Sequence, residues 1–376
     1  MAVVCTEIAG TGSIIAKEER PNDYFRRHTF VDRNGKLHTD REDGHVLSTD
    51  EIVNKVSELT GINCRRYFSD NETTSEMGLK AAKDALESSK TNPETLDEII
   101  FATNFFNVNN EGRTDSVPSL ASRVKQGLGI KNRKTVAFDL IYGCPGWLQG
   151  VIIGDQQIRA GDAKRILVVG AECLSRVSDP YDRDSMIYAD GAGALLLELK
   201  LREERFGIVS KVSVSDSRYG NLLTMGPSNM KDYQQGRLFL KMNGSHVSHY
   251  AKTKVPEIVM ESLNQAGVVW DDISKILIHQ ANAKMDYAIL DALYRINHPD
   301  FPNEEKMPKE IADRIMPMTI SWLGNSSVAT LPTLLDLIMK GKLPGHFLEP
   351  GKYVVMASIG AGMNINSVVY RVPPKD

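Results

Sequence analysis

Hydrophobic positions along the chain follow two spacings, one typical of buried strands and one typical of helices. Continuous apolar runs at 165–172 (RILVVGAE) and 353–358 (YVVMAS) predict strands that are covered on both faces. Elsewhere apolar residues recur every three or four positions, as at Ala81, Ala82 and Ala85, which predicts amphipathic helices. Strands that alternate with helices indicate an α/β fold.

Local signals predict where several elements begin and end. Thr73 and Glu76 have the spacing of a capping box, so a helix is predicted to start there. Pro256 is predicted to open another helix, since proline is tolerated in a first turn. Residues 3–9 predict a first strand that runs into a Gly-Thr-Gly turn. The polar stretch 26–43 predicts a loop or insertion near the entrance to a site.

The order of predicted elements repeats once along the chain. A helix, a loop and the strand LDEIIFAT correspond to a later helix, loop and the strand WDDISKILIH. The strand, turn and helix of VAFDLIYGCPGWLQG correspond to MTISWLGNSSVATLPTLL, and the strand pair RILVVGAE and DGAGALLLEL corresponds to YVVMAS and IGAGMNINSVVYR. The offsets are roughly 170 to 180 residues, about half the chain. We therefore predict a duplicated unit with halves at 1–200 and 201–376.

Composition excludes several classes of protein. The chain has 376 residues, with 41% apolar and 25% charged residues, which is typical of a globular protein. A formal net charge of -3 argues against a uniformly basic nucleic-acid binder. No apolar run reaches the roughly 18 to 20 residues of a membrane span. The first residues do not resemble a signal peptide, so we expect a cytoplasmic protein with no nucleic-acid or membrane partner.

The cysteines are few and far apart, with no CxxC pair, which argues against a zinc ribbon or a thioredoxin-like site. Cys5 and Cys173 lie in apolar strand-like stretches and Cys64 lies in a polar, turn-like stretch. We assign structural roles to these three residues, and we expect reduced thiols.

Cys144 lies in a different setting, between a predicted strand and a predicted apolar helix. Gly143 permits a tight turn, and Pro145 and Gly146 open the helix. This strand–elbow–helix arrangement exposes a nucleophile at the end of an α/β sheet. The helix dipole is expected to lower the pKa of the thiol, and the Cys144 amide is expected to help bind an oxyanion. The alternative interpretation is a buried structural cysteine.

His279 and Asn325 are the other candidates for a catalytic site. His279 ends the strand KILIH, where α/β folds place ligands and catalytic groups, although a hydrogen-bonded structural histidine is the alternative. Asn325 occupies the elbow of the second repeat that corresponds to the Cys144 elbow, although a turn asparagine is the alternative. If the halves pack about a pseudo-two-fold axis, a thiol, an imidazole and an amide converge on one pocket.

This trio suits thioester chemistry. A thiolate accepts an acyl group by transthioesterification. A neutral imidazole and an amide N–H can then hydrogen-bond the carbonyl of a second thioester and stabilise its developing enolate. Neither step requires a metal or a redox cofactor.

The chain resembles the thiolase-fold condensing enzymes, specifically the 3-oxoacyl-[acyl-carrier-protein] synthase III family. The resemblance rests on motifs in the family's order, which include TGINCRRYFSDNETTSEMGL, DLIYGCPGWLQG, DRDSMIYADGAGA, IHQANAKM, WLGNSSVAT and SIGAGMN. It implies a duplicated five-layered αβαβα fold, a homodimer, and a Cys144–His279–Asn325 catalytic triad. It also implies an oxyanion site formed by the amides of Cys144 and Ala361.

The resemblance further implies an acyltransferase of fatty acid biosynthesis that needs no cofactor. Its substrates would be thioesters of coenzyme A or of the phosphopantetheine of acyl-carrier protein. Arg183 matches a family arginine near the coenzyme A entrance, and Lys284 replaces the arginine at which the carrier protein docks.

Several positions depart from the family pattern. Lys55 and Leu59 stand where a tryptophan and an arginine usually hold the adenine end of coenzyme A. Ile359 replaces an aromatic residue and Ala361 replaces a glycine, and both changes are expected to reshape the acyl pocket. Phe105 and Phe106 are candidates for its lining: this assignment rests on position alone.

The main hypothesis is therefore a decarboxylative condensing enzyme: an acyl group on Cys144 is joined to a malonyl thioester to give a 3-oxoacyl thioester. A second hypothesis is a specialised relative, either a non-decarboxylating Claisen enzyme or an acyltransferase of secondary metabolism. A third is a catalytically silent subunit that only binds acyl-carrier protein. A cysteine hydrolase is disfavoured, because these motifs hold no acidic partner for His279.

Overall fold

The computed structural model describes residues 2–40, 42–302 and 304–374. The strands are β1 (Val3–Ile15), β2 (Glu18–Pro21), β3 (Cys64–Tyr67), β4 (Glu98–Ala102), β5 (Asn107–Val108), β6 (Thr114–Asp115), β7 (Val136–Leu140), β8 (Arg165–Cys173), β9 (Asp190–Arg202), β10 (Gly207–Ser215), β11 (Leu223–Gly226), β12 (Phe239–Met242), β13 (Ile273–Ile278), β14 (Tyr353–Gly360) and β15 (Asn364–Arg371). The helices are α1 (Asn22–Phe25), α2 (Thr49–Thr60), α3 (Thr74–Ser88), α4 (Leu120–Gly127), α5 (Gly146–Ala160), α6 (Gly244–Ala266), α7 (Ala283–Asn297), α8 (Lys309–Ile315), α9 (Ile320–Leu323) and α10 (Thr330–Met339). Within these described ranges, no helix combines the length and the apolar character that a membrane span needs.

Two mixed sheets form the frame of the molecule. The first has the strand order β1-β9-β8-β4-β7 and the second has the order β10-β15-β14-β13. In the first sheet β4 pairs in parallel with β7 and β8, while β9 runs antiparallel to both of its neighbours. In the second sheet β13 and β14 are parallel, and β15 is antiparallel to β14 and β10.

Helices cover both faces of each sheet. α3 and α4 pack on the outer face of the first sheet, α5 and α10 lie between the two sheets, and α6 and α7 cover the outer face of the second. The result is five layers in the order αβαβα. The predicted fold class is confirmed.

The burial of strand β4 on both faces explains its continuous apolar sequence. Ile99 and Phe101 pack in the outer core beneath α3, whereas Ile100 and Ala102 pack in the central core beside α5. Successive side chains of a strand point to opposite faces, so each face needs apolar residues when helices cover both.

The two predicted helix starts have different outcomes. The α3 capping box is confirmed, because the Thr73 side chain accepts from the Glu76 amide and the Glu76 side chain accepts from the Thr73 amide. The prediction for Pro256 is wrong, because Pro256 lies inside α6, which begins at Gly244. Proline removes one backbone donor there, but the face that carries Val255 and Val259 is buried against the second sheet and stabilises the helix through the break.

The predicted turn after the first strand is also wrong, because β1 continues through it to Ile15 with one irregularity in its pairing to β9. Gly10 and Gly12 lie against α3. A Cβ atom at either position would overlap the backbone of Ala81 or Ala85. The glycines therefore allow close packing of strand and helix, and they do not reverse the chain.

Two further segments, at Cys64 and at 318–322, differ from the predicted structure. Cys5 and Cys173 are buried in strands as predicted, but Cys64 opens β3 and the prediction of a turn there is wrong. The segment MTISW, predicted as a strand, contains the short helix α9. The side-chain oxygen of Gln280 accepts from the amides of Thr319 at 2.8 Å and Ile320 at 2.9 Å, so these donors are not available for strand pairing.

Candidate active site

A cavity of 370 Å³ lies where the ends of several strands and turns meet. Cys144, His279, Asn325 and Ala361, which are distant in the sequence, all border it. Most of its lining is apolar, and it includes leucine, methionine and isoleucine side chains. The fold thus brings the predicted triad and the predicted oxyanion residue to one place.

The Cys144 elbow has the predicted strand–turn–helix form. β7 ends at Leu140, Gly143 adopts a φ of 68°, and α5 begins at Gly146. The Gly143 amide donates to Asn104 Oδ1 at 2.9 Å, and its carbonyl accepts from the Gly146 amide at 3.0 Å. These two bonds fix the turn on both sides of Cys144.

A second turn, after β14, packs against the first one backbone to backbone. A Cβ atom on Gly143 would lie 2.7 Å from the Ala361 amide nitrogen, and a Cβ atom on Gly360 would overlap the Cys144 amide. Only glycine permits so close an approach. The backbone at Cys144 and Ala361 therefore borders the same part of the cavity, as an oxyanion site requires.

Cys144 is half-buried in the wall of the cavity. Ser327 Oγ donates to Cys144 Sγ at 3.3 Å. Burial raises the pKa of the thiol to about 11, and the bond from Ser327 opposes this shift without overcoming it. The prediction that the elbow lowers the pKa is wrong, because loss of hydration destabilises the thiolate more than the nearby donors stabilise it.

His279 follows β13 and is buried. Its amide donates to the Ala357 carbonyl at 2.8 Å, and its Nδ1 has no hydrogen-bond partner among the described residues. Burial lowers the pKa of the imidazole to about 4. The ring is therefore neutral at physiological pH and has one N–H donor to offer.

Asn325 is held by the strand-like segment before β9. Its amide donates to the Ile187 carbonyl at 3.0 Å, and its carbonyl accepts from the Ala189 amide at 2.8 Å. Asn325 Oδ1 accepts from the Ser327 amide at 2.9 Å. One turn thus fixes the plane of the Asn325 amide and sets Ser327 beside the thiol.

Like Ser327, the polar residues Asn104 and Glu172 near the thiol were not predicted from the sequence. The Glu172 carboxylate accepts from the Asn104 amide at 2.8 Å, from Asn104 Nδ2 at 3.0 Å and from Thr103 Oγ1 at 3.0 Å. Asn104 in turn holds the elbow at Gly143. Burial raises the pKa of Glu172 to about 7. The only signal in the sequence was a charged residue within the apolar run RILVVGAE.

The sequence and the fold are similar to those of known proteins. Residues 138–217 match the family model of 3-Oxoacyl-[acyl-carrier-protein (ACP)] synthase III, and residues 263–372 match the model of its C-terminal region. The Beta-ketoacyl-[acyl-carrier-protein] synthase III of Pectobacterium atrosepticum is 31% identical over 97% of this chain and 99% of its own length. The chain belongs to the synthase III family. It is a condensing enzyme of the acyltransferase class.

Other synthase III proteins show the same likeness. The enzyme of Pseudoalteromonas atlantica is 32% identical over 86% of this chain and 92% of its own. The crystal structure of the 3-oxoacyl-[acyl-carrier-protein] synthase III of Aquifex aeolicus superposes with a TM-score of 0.75, at 27% identity, over 97% of this chain and 99% of that chain. The thiolase-like fold that the resemblance implied is confirmed.

The peripheral residues predicted for this synthase III chain lie away from the cavity. Arg183 is exposed on a 3₁₀ turn, and Lys284 is exposed in the first turn of α7. Lys55 and Leu59 are exposed on α2, and Lys55 forms an ion pair with Asp40 of the polar insertion. None of these four residues borders the catalytic cavity.

The predicted insertion lies beside the Arg183 segment. Apart from residue 41, which is outside the described residues, 26–43 is loop and turn with two isolated strand bridges. The Val31 amide donates to the Tyr181 carbonyl at 2.9 Å, and Asn229 Nδ2 donates to the Val31 carbonyl at 2.9 Å. The loop prediction is confirmed, and these bonds hold the insertion in place.

Of the residues suggested for the acyl pocket, Ile359 and Phe105 border the cavity. Phe106 does not, and it lines an adjacent surface cavity together with Phe105. Ile359 is buried at the end of β14 next to Gly360. Ile359, which replaces the aromatic residue of the family pattern, therefore gives the cavity an aliphatic wall at this position.

Proposed function

We propose that this enzyme joins an acyl thioester to a malonyl thioester of acyl-carrier protein, with loss of carbon dioxide, to give a 3-oxoacyl thioester. The observation that supports the proposal most strongly is that Cys144, His279 and Asn325 border one mostly apolar cavity. The acyl donor would be a thioester of coenzyme A or of acyl-carrier protein.

In the first half-reaction Cys144 Sγ attacks the carbonyl carbon of the acyl donor. The new sulfur–carbon bond forms as the bond to the donor sulfur breaks, and the thiol proton leaves with the departing thiol. The amides of Cys144 and Ala361 would stabilise the oxyanion of the tetrahedral intermediate. Because burial keeps the thiol protonated, its proton is lost during this step and not before it.

In the second half-reaction His279 and Asn325 would hydrogen-bond the carbonyl of the malonyl thioester. Carbon dioxide leaves, and the electrons of the broken carbon–carbon bond form an enolate. The enolate carbon then attacks the carbonyl carbon of the acyl group on Cys144. The bond from this carbon to Cys144 Sγ breaks, and the sulfur departs as a thiolate and regains a proton. The low pKa of His279 supports this role, since a neutral imidazole in an apolar cavity donates a hydrogen bond without attracting the malonyl carboxylate. Neither half-reaction needs a metal or a redox cofactor.

We further propose the surroundings of this reaction. Lys284, exposed at the start of α7, would attract the acidic carrier protein, and Arg183 would contact the end of coenzyme A. We propose that the protein is a cytoplasmic homodimer. We also propose that the two halves of each chain, 1–200 and 201–376, arose by duplication. The origin of the strands supports this division of the chain. The last strand of the first sheet ends at Arg202, and the first strand of the second sheet begins at Gly207.

The test is intact mass measurement after incubation with acyl-coenzyme A or acyl-carrier protein of several chain lengths. The wild type is expected to gain one acyl group and Cys144→Ala none. His279→Ala is expected to be acylated but to release carbon dioxide from malonyl-carrier protein at least about a hundredfold more slowly. General acid–base catalysis or electrostatic stabilisation by a single side chain contributes about this factor.

The outcomes separate the candidate functions. No mass gain in the wild type with any starter would refute the assignment of Cys144. A labelled enzyme that releases no carbon dioxide would favour the specialised Claisen enzyme or acyltransferase. This second candidate function is favoured by one observation: exposed Lys55 and Leu59 occupy the positions whose usual residues hold the adenine end of coenzyme A.

A further inference from the structure

Among the described residues, one side chain donates a hydrogen bond to the nucleophilic sulfur, and it is that of Ser327. Its Oγ lies 3.3 Å from Cys144 Sγ, and both residues border the catalytic cavity. The sulfur of a neutral thiol is a weak acceptor. A thiolate is a much better one, because hydrogen bonds to a charged partner are roughly twice as strong. The contact therefore stabilises the sulfur most when the sulfur carries negative charge.

The side chain of Asn104 fixes the direction in which the Ser327 hydroxyl points. Asn104 Oδ1 accepts from the Gly143 amide at 2.9 Å, which determines the orientation of the Asn104 amide group. Asn104 Nδ2 then donates to the Glu172 carboxylate at 3.0 Å and to Ser327 Oγ at 3.5 Å. Because the hydroxyl accepts from Asn104, its single proton is available for Cys144 Sγ.

The backbone of Ser327 is held in a conformation that residues other than glycine rarely adopt. Its φ is 54°, in the left-handed region. Its amide donates to Asn325 Oδ1 at 2.9 Å. A backbone of this kind costs free energy and persists only where the surrounding contacts hold it. The turn that carries Asn325 therefore also places a hydroxyl on the sulfur.

The other groups around the sulfur do not replace this hydroxyl. Burial raises the pKa of the Cys144 thiol, and the nearby Glu172 carboxylate raises it further. The bond from Ser327 lowers the pKa of the thiol more than the Cys144 amide does. Ser327 is thus the strongest influence that favours negative charge on this sulfur.

We propose that Ser327 is a catalytic residue whose hydroxyl stabilises negative charge on Cys144 Sγ by a hydrogen bond. The inference rests on the proposed function, in which this charge develops twice. As the thiol proton leaves with the departing donor thiol, the electron pair of the sulfur–hydrogen bond stays on the sulfur and forms the bond to the acyl carbon. When the 3-oxoacyl product leaves, the electron pair of the sulfur–carbon bond returns to the sulfur, which regains a proton. Ser327 keeps its own proton throughout.

The test compares Ser327→Ala and Ser327→Gly with Ser326→Ala. Ser326 is an adjacent buried serine outside the lining of the cavity, and its Oγ lies 3.4 Å from Thr330 Oγ1. Glycine removes the Ser327 hydroxyl and adopts a φ of 54° without steric cost, so the two Ser327 variants separate the hydroxyl from the backbone.

Three quantities are measured for each protein. The first is the rate at which iodoacetamide alkylates Cys144 between pH 7 and 9, followed by mass spectrometry of the peptide that contains it. The second is the rate of acylation of Cys144 by acyl-coenzyme A and acyl-carrier protein in a single turnover. The third is the melting temperature. Alkylation needs no acyl donor, so it tests the contact independently of the proposed function.

Both Ser327 variants are expected to hold about tenfold less thiolate at each pH, since a hydrogen bond to a charged group has roughly this effect. A more basic thiolate is also more nucleophilic, so alkylation should slow about threefold. Acylation should slow by at least as much. Ser326→Ala is expected to match the wild type in both rates.

Three results would overturn the inference. One is alkylation of either Ser327 variant as fast as that of the wild type or faster. Another is slower alkylation and a lower melting temperature in Ser327→Ala but not in Ser327→Gly, because the effect would then follow the backbone. The third is equal slowing by Ser326→Ala. A wild type that accepts no acyl group refutes the proposed function and the catalytic role together. Normal acylation of the wild type with unchanged alkylation of both Ser327 variants refutes the inference alone.

Discussion

Three ionisable groups at the site differ in pKa from the same groups in water. Burial raises the pKa of Cys144 to about 11 and that of Glu172 to about 7, and it lowers the pKa of His279 to about 4. The common cause is removal of the charged form from water. At neutral pH thiol and imidazole are both uncharged, so the site has no thiolate–imidazolium pair before the substrate binds.

At this scale, Glu172→Gln is expected to change how stability depends on pH. The pKa of Glu172 rises from its ordinary value of 4.5 to about 7 on folding, so the folded state binds the proton more tightly. The contribution of Glu172 to the free energy of unfolding is therefore complete below pH 4.5. It falls by roughly 3 kcal/mol as the pH rises to about 7. Urea unfolding of both proteins between pH 4.5 and 8 measures it, and parallel curves would contradict the assignment.

Single residues divide into those that the sequence identified and those that it did not. Cys144, His279 and Asn325 were found because each ends a predicted strand or opens a predicted turn. Ser327, Asn104 and Glu172 were not, because their importance depends on contacts with residues more than 20 positions away. Residue type and local pattern carry no information about such contacts.

At the scale of elements, the two catalytic turns depend on glycine where the backbones meet. Gly143→Ala is expected to destabilise the protein by more than 2 kcal/mol, because alanine disfavours a φ of 68° and its Cβ would meet the Ala361 backbone. It should also slow acylation of Cys144, since the turns must separate.

Gly161→Ala, at the other end of α5, is the matched control. Gly161 has a φ of 86° and open space around the position of a Cβ atom, so this change should cost only about 1 kcal/mol and leave acylation intact. Urea unfolding and intact mass separate the two variants. Equal effects would show that close packing of the turns is unimportant.

Elements that bury apolar residues on both faces were predictable, and elements held by single polar contacts were not. β8 and β14 follow from their composition alone. The short helix α9 depends on one distant side chain, that of Gln280, which binds its first amides. α6 continues through Pro256 because of its packing. Tertiary contacts override local preference where local preference is weak.

At the scale of the whole molecule, Lys284 is expected to act in substrate capture and not in chemistry. Lys284→Ala should raise KM for acyl-carrier protein about two- to fivefold at low salt, with little effect at high salt, as for an exposed ion pair. KM for acyl-coenzyme A should not change. Lys342→Ala, another exposed lysine away from the cavity, is the control, and an equal effect of both changes would refute a specific docking site.

The repeat of elements along the chain was visible, but its geometric result was not. In the structure the corresponding segments form two sheets with α5 and α10 between them. The strand predicted in MTISW is absent from 318–322, so the correspondence of the two halves is incomplete on the side that carries Asn325. On this side Asn325 instead forms an isolated parallel bridge with Tyr188, and Asn325 Oδ1 accepts from the Ser327 amide.

The sequence by itself determined the α/β class, the repeat of elements, the nucleophilic elbow and the identity of the three candidate catalytic groups, because periodicity and turn chemistry are local properties, and the five layers were implied by the family resemblance. Tertiary structure decided that these groups share one cavity, that burial raises rather than lowers the pKa of Cys144, and that Ser327 donates to its sulfur. Burial and convergence are properties of distant segments packed together, and no local pattern records them.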